Sequence, residues 1–146
     1  MKFWDTSAVI ALCVNEPGSP AVKPILAQDS SLVVWWATRT ECVSALLRQT
    51  REGGLRGAGE DQARQVLETL AQAWTEIQPT DSLRAAAERL LAVHPLRAAD
   101  AFQLAAALQW CRQHTPGAAF VSFDDRLREA ARKEGFGVLP PRPRAS

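Results

Sequence analysis

Two short, almost unbroken apolar runs constrain this chain most: SLVVWW (31–36) and AAFVSF (118–123). A strand with one wet face alternates apolar and polar residues, whereas a continuous run must be covered on both faces. Between them lie segments with helical periodicity. KFWD (2–5), TEIQP (75–79) and FGVLP (136–140) read as further short strands. Strands alternating with helices predict an α/β fold: a parallel sheet of about four to five strands with helices on both faces. In such sheets ligands gather at the carboxyl ends of the strands.

The helices predicted between the strands are TSAVIALCVNE entered through Thr6 or Ser7, AVKPILAQD, ATRTECVSALLRQTRE stopped by Gly53 and Gly54, and EDQARQVLETLAQAW. Gly57 to Gly59 mark a loop before the last of these. Three more follow: TDSLRAAAERLLAVH capped by Thr80 or Asp81, LRAADAFQLAAAL, and DDRLREAARKEG closed by Gly135. Residues 1–139 form one domain by length, and the Pro/Arg-rich tail 140–146 is expected to be unstructured.

Net charge is +1, so no global basic character points to non-specific nucleic-acid binding. Fourteen Arg against three Lys accompany abundant Ala, which fits coding bias. Cys13, Cys42 and Cys111 lie far apart in apolar runs, fitting neither a zinc site nor a disulfide framework, and read as buried free thiols. No stretch approaches 18 apolar residues, and Asp5 interrupts the N-terminal run, so neither a membrane span nor a signal peptide is expected. A cytoplasmic location is the expectation. His94 and His114 read as surface or C-capping residues, and Trp4, Trp35 and Trp36 as core.

The acids sort by position. Most, such as Glu60, Glu68, Glu88 and Glu129, fall on polar helix faces. Asp5 and Asp124 stand at carboxyl ends of strands, and Glu41 and Asp100 early in helices. Each has an ordinary reading: Asp5 and Asp124 as helix caps, Glu41 paired with Arg39 or Arg48, Asp100 favouring the helix dipole. Asp100 is the odd one, the single charge in an otherwise apolar helix from Ala98 to Cys111. Together the four can converge on one crevice. Crowded carboxylates repel unless a cation neutralises them, and oxygen-only donors without His or Cys favour Mg²⁺ or Mn²⁺ over zinc.

FWDTSAVIAL, NEPGS, TRTECVSALLR, LRAADAFQLAAAL and FVSFDDRLREAARKEGF, in this order and spacing, resemble the motifs of PIN-domain ribonucleases. Within that family the chain is most similar to the toxins of VapBC-type toxin–antitoxin pairs. The resemblance covers roughly residues 1–139. It implies a PIN-like three-layer sandwich and metal-dependent endonucleolytic hydrolysis of RNA, leaving 5′-phosphate and 3′-hydroxyl ends. The family's acidic quartet falls on Asp5, Glu41, Asp100 and Asp124, with Asp125 adjacent to the last. Asp5, Asp100 and Asp124 are the implied ligands of Mg²⁺ (or Mn²⁺), Glu41 a ligand or the group that orients water, and Thr6 and Ser122 supporting hydroxyls. Arg39, Arg97 and Arg126 flank the acidic motifs and are candidate phosphate contacts. A VapB-type antitoxin and a second copy of the chain are the implied partners.

Two other classes compete. A haloacid-type phosphatase needs Asp-x-Asp where Asp5-Thr6-Ser7 stands, and a receiver domain needs paired acids and a later Lys. A non-catalytic PIN-like protein-interaction module remains the alternative, which an intact quartet disfavours.

Overall fold

Strands of three or four residues cannot hold a sheet together by ladder length, so this fold depends on what covers the sheet. A computed structural model describes residues 1–142. The order is β1 (Lys2–Trp4), α1 (Thr6–Cys13), α2 (Ser19–Gln28), β2 (Leu32–Trp35), α3 (Thr38–Arg51), α4 (Ala58–Ala73), β3 (Thr75–Ile77), α5 (Asp81–Val93), α6 (Ala98–Trp110), β4 (Ala119–Val121), α7 (Asp125–Lys133) and β5 (Gly137–Leu139). All described strand pairs are parallel, and the order across the sheet is β3-β2-β1-β4-β5. The expected α/β architecture is therefore present, with five strands.

Alternation along each strand divides the apolar runs between two cores. Phe3, Val33, Trp35 and Phe120 face α5, α6 and α7, joining Leu90, Leu104 and Leu127. Trp4, Val34 and Val121 face α1, α3 and α4, joining Val9, Leu46 and Leu67. This makes three layers. Phe3 stacks on Phe120 with centroids 5.3 Å apart, across the β1–β4 pair at the centre of the sheet. In α6 the buried run Ala105–Ala106–Ala107 leaves little side-chain bulk between helix and neighbours. The larger Leu104 and Leu108 supply the burial, worth about 1.5–3 kcal/mol each relative to exposure.

Side-chain caps mark the starts of α1, α5 and α7. Asp5 accepts from the Ala8 amide (3.0 Å) and is the cap of α1, in place of the expected Thr6 or Ser7. Thr80 caps α5 through Leu83, and Asp124 caps α7 through Leu127. The end of the domain is tied down by Arg128, whose guanidinium donates to the carbonyls of Ser122 (2.7 Å), Leu139 (3.2 Å) and Pro140 (2.8 Å). Of the tail expected to be unstructured, Arg142 pairs with Asp125, and residues 143–146 lie outside the described residues. Cys13, Cys42 and Cys111 are free thiols; the first two are buried and Cys111 half-buried. Among the described residues no helix is long and apolar enough to cross a membrane.

Three sequence expectations need correction. Trp36 is not core but 51% exposed, because β2 ends at Trp35 and the chain turns directly into α3. His94 does end α5, yet its side chain is buried rather than on the surface. There its Nε2 lies 2.7 Å from Glu134 Oε2, at the far end of α7. Gly59 is not loop but lies in the first turn of α4, where the chain enters through Gly57 at φ +50°.

Candidate active site

Strand order decides where a ligand can reach the sheet. From β1 the chain builds outward through β2 to β3, then returns to place β4 on the other side of β1. The connections leaving β1 and β4 therefore diverge, and a crevice opens at their carboxyl ends. Asp5 follows β1 immediately, and Asp124 follows β4 after Ser122 and Phe123. α3 and α6 close the crevice with Glu41 and Asp100. All four acids line one cleft of about 510 Å³.

Asp5 sits at its floor, 3% exposed. Its Oδ1 accepts from the Ser7 hydroxyl (2.7 Å) and the Ala8 amide (3.0 Å), and its Oδ2 from the Ser122 hydroxyl (2.6 Å). Ser7 Oγ in turn accepts from the Phe123 amide (2.9 Å), and Ser122 Oγ from the Asp124 amide (3.1 Å). The two serines therefore bind the first acid to the backbone carrying the fourth. Burial pushes the Asp5 carboxyl up from 3.8 to about 6, against the opposing hydrogen bonds, and the Asp124 charge adds to the rise.

The other acids feel the same forces. Burial raises Glu41, and the charges of Asp5 and Asp100 raise it further; hydrogen bonds from Gln103 and Thr6 oppose this. Burial raises Asp100, with Asp124 next, while Arg97 and Arg126 pull it back. Crowded, partly desolvated carboxylates of this kind mark functional clefts more often than structural ones.

The remaining expectations divide. Asp124 lines the cleft; Asp125 points away, exposed and paired with Arg142. Ser122 supports Asp5 as expected. Thr6 supports Glu41, lowering its carboxyl through a hydrogen bond while accepting from Gln103 Nε2 (3.1 Å), and Ser7 is a second hydroxyl on Asp5. Arg39 pairs with Glu68 on α4 and does not line the cleft. Arg97 and Arg126 do not line it either, although their charges reach Asp100.

The residues that sequence reasoning missed are Ser7, Arg48 and Gln103. Glu41, Ala45, Arg48 and Gln49 all line the cleft at helical spacing, so counting four and seven residues on from Glu41 finds Ala45 and Arg48. Gln103 stands three residues after Asp100 and is the only other polar side chain between Ala98 and Leu108.

The donor set is chemically suited to a hard divalent cation, being carboxylate oxygen throughout. Among the described residues no three His, Cys, Asp or Glu side chains are grouped closely enough to cage an ion by themselves.

Among curated proteins, none matches the sequence significantly. Solved structures share its fold at low identity. Mycobacterium tuberculosis VapC20, described as a sarcin-ricin loop cleaving toxin, has a TM-score of 0.69 at 19% identity, covering 97% of this chain and 100% of that one. PAE2754 from Pyrobaculum aerophilum has a TM-score of 0.67 at 18% identity, covering 94% and 90%. FitAcB from Neisseria gonorrhoeae has a TM-score of 0.66 at 16% identity, covering 96% and 97%. The PIN domain model matches residues 2–133, a span that takes in all four acids of the cleft, and the chain belongs to the PIN-domain family.

Proposed function

We propose that this protein is a divalent-metal-dependent endoribonuclease, the toxin of a type II toxin–antitoxin pair. One observation carries the reading: Asp5, Glu41, Asp100 and Asp124 come from four separate segments and meet around one cleft at the switch point of the sheet. A fold needing only stability gains nothing from carboxylates that burial and mutual repulsion drive toward protonation. The RNA reading is supported by the family and by the printed description of VapC20 as a toxin that cleaves the sarcin-ricin loop.

Asp5, Asp100 and Asp124 are assigned as the residues that hold Mg²⁺ or Mn²⁺, directly or through water. An ion bound there supplies Lewis-acid polarisation of a phosphate oxygen and a lowered pKa for its water. The chain's own work is positional. Ser7, Ser122 and the Ala8 amide fix both oxygens of Asp5, so its carboxylate presents one orientation to the cleft. Glu41, on the α3 wall, orients the attacking water or serves as a further ligand. Arg48 lines the cleft and, with Arg97 and Arg126 beside Asp100, offers charge to flanking phosphates. A VapB-type antitoxin would silence the enzyme by seating a positive side chain among these acids, and a homodimer is the proposed assembly.

The test is RNA cleavage by the purified protein in Mg²⁺, with Asp5→Asn and Asp100→Asn as controls and RNA ends mapped by sequencing. Cleavage that chelator abolishes and both substitutions remove supports the reading. Full activity in either variant, or in chelator, sinks it.

A further inference from the structure

Gln103 is only 2% exposed, inside a helix whose other buried side chains are Ala and Leu. Its amide nitrogen, with two N–H donors, lies within hydrogen-bond distance of three oxygens: Thr6 Oγ1 at 3.1 Å, Thr38 Oγ1 at 3.0 Å and Glu41 Oε1 at 3.1 Å. Thr6 adjoins Asp5 at the start of α1. Thr38 and Glu41 share one face of α3, three residues apart. Gln103 itself shares the Asp100 face of α6 by the same spacing. One side chain thus joins the three segments that carry Asp5, Glu41 and Asp100.

An ionised Glu41 carboxylate assigns the orientation of the amide. Turning it over would set Oε1 against the Glu41 carboxylate, two acceptors with no proton between them. With nitrogen toward Glu41, Oε1 is left buried with no hydrogen-bond partner among the described residues. An apolar side chain would fill this space without stranding a polar atom. The fold accepts the stranded oxygen, and what it obtains is a fixed Glu41.

We propose that Gln103 is a positioning residue that holds the Glu41 carboxylate in place relative to Asp5 and Asp100. The inference rests on the nuclease reading for its consequence in rate, and on the hydrogen bonds alone for its consequence in geometry. Its catalytic test is Gln103→Met, close in length but without donors, assayed on total RNA in Mg²⁺. Losing a hydrogen bond to a charged group predicts a fall in kcat of about ten- to a hundred-fold with KM within about twofold. Because the effect passes through Glu41, adding Gln103→Met to Glu41→Gln costs less than about twofold more. An undiminished kcat, a change in KM alone, or an equal loss in both backgrounds overturns the proposal while leaving the nuclease reading intact.

The second readout needs no activity. The Gln103 side-chain amide resonances of the metal-free protein should exchange slowly with solvent and move when Glu41 becomes Ala. If that substitution leaves their shifts and exchange unchanged, the bond is absent in solution and the proposal fails. Wild-type protein that cleaves no RNA defeats the nuclease reading, and the resonances then decide the positioning role separately.

Discussion

Replacing Asp5 by Asn should stabilise the metal-free protein at neutral and alkaline pH, although the same change destroys the proposed activity. Asp5 is 3% exposed, and its carboxyl rises from 3.8 to about 6 on folding, chiefly through burial. The folded state therefore binds this proton more tightly than the unfolded chain does. That contribution is complete below the unfolded value near 3.8 and is lost as pH climbs through about 6. At roughly 1.4 kcal/mol per tenfold change in proton affinity, ionised Asp5 costs the fold about 3 kcal/mol above this window. Asn carries no charge to desolvate. Its oxygen can still accept from Ser7 and Ala8, while the contact with Ser122 is weakened at a cost of about 1 kcal/mol. The net gain above the window is about 2 kcal/mol, or a rise in Tm of about 4–8 °C for a chain of this size. Thermal melts of both proteins in chelator at acid and alkaline pH measure it. The gap should be present at pH 8 and shrink or reverse near pH 4; Mg²⁺ should narrow it at pH 8 by stabilising only the wild type. A variant less stable than wild type at pH 8, or a gap independent of pH, would refute this account of the buried carboxylate.

Asp100→Asn should retain the fold and lose RNA cleavage by about a hundredfold or more, and the rise in Tm that millimolar Mg²⁺ gives the wild type should shrink or vanish. Ser122→Ala removes the 2.6 Å hydrogen bond to Asp5 Oδ2 and so an influence that holds its pKa down. The acid limb of the pH–rate profile should move to higher pH, with kcat lower by about five- to tenfold at neutrality, by the worth of one such bond. Gly18→Ala sets a Cβ 2.7 Å from Phe123 Cζ, so the ring or its loop must shift within the cleft wall. Denaturation should show a loss of about 1–3 kcal/mol, accompanied by a raised KM for RNA.

The sequence by itself determined the class of fold and the identity of the acids. Continuous apolar runs such as LVVW demand cover on both faces, and that local requirement forces an α/β sheet whatever the details of topology. Asp5, Glu41, Asp100 and Asp124 were legible for a similar reason: strand ends and first helical turns are places that linear spacing can find. Their ordinary readings were sound too, since Asp5 and Asp124 do cap α1 and α7 while lining the cleft. Tertiary structure alone decided everything that depends on distance across the chain. The order β3-β2-β1-β4-β5 puts β1 beside β4, so that Ser122 can reach Asp5 from 117 residues away. Packing of α3 on α4 draws Arg39 to Glu68, and packing of α5 and α7 on α6 brings His94 against Glu134. Gln103 shows the division best. Its polarity in an apolar helix is visible in one dimension, but which hydroxyls and which carboxylate it holds is settled only when α1, α3 and α6 meet, because a hydrogen bond depends on ångströms in space and not on residues along the chain.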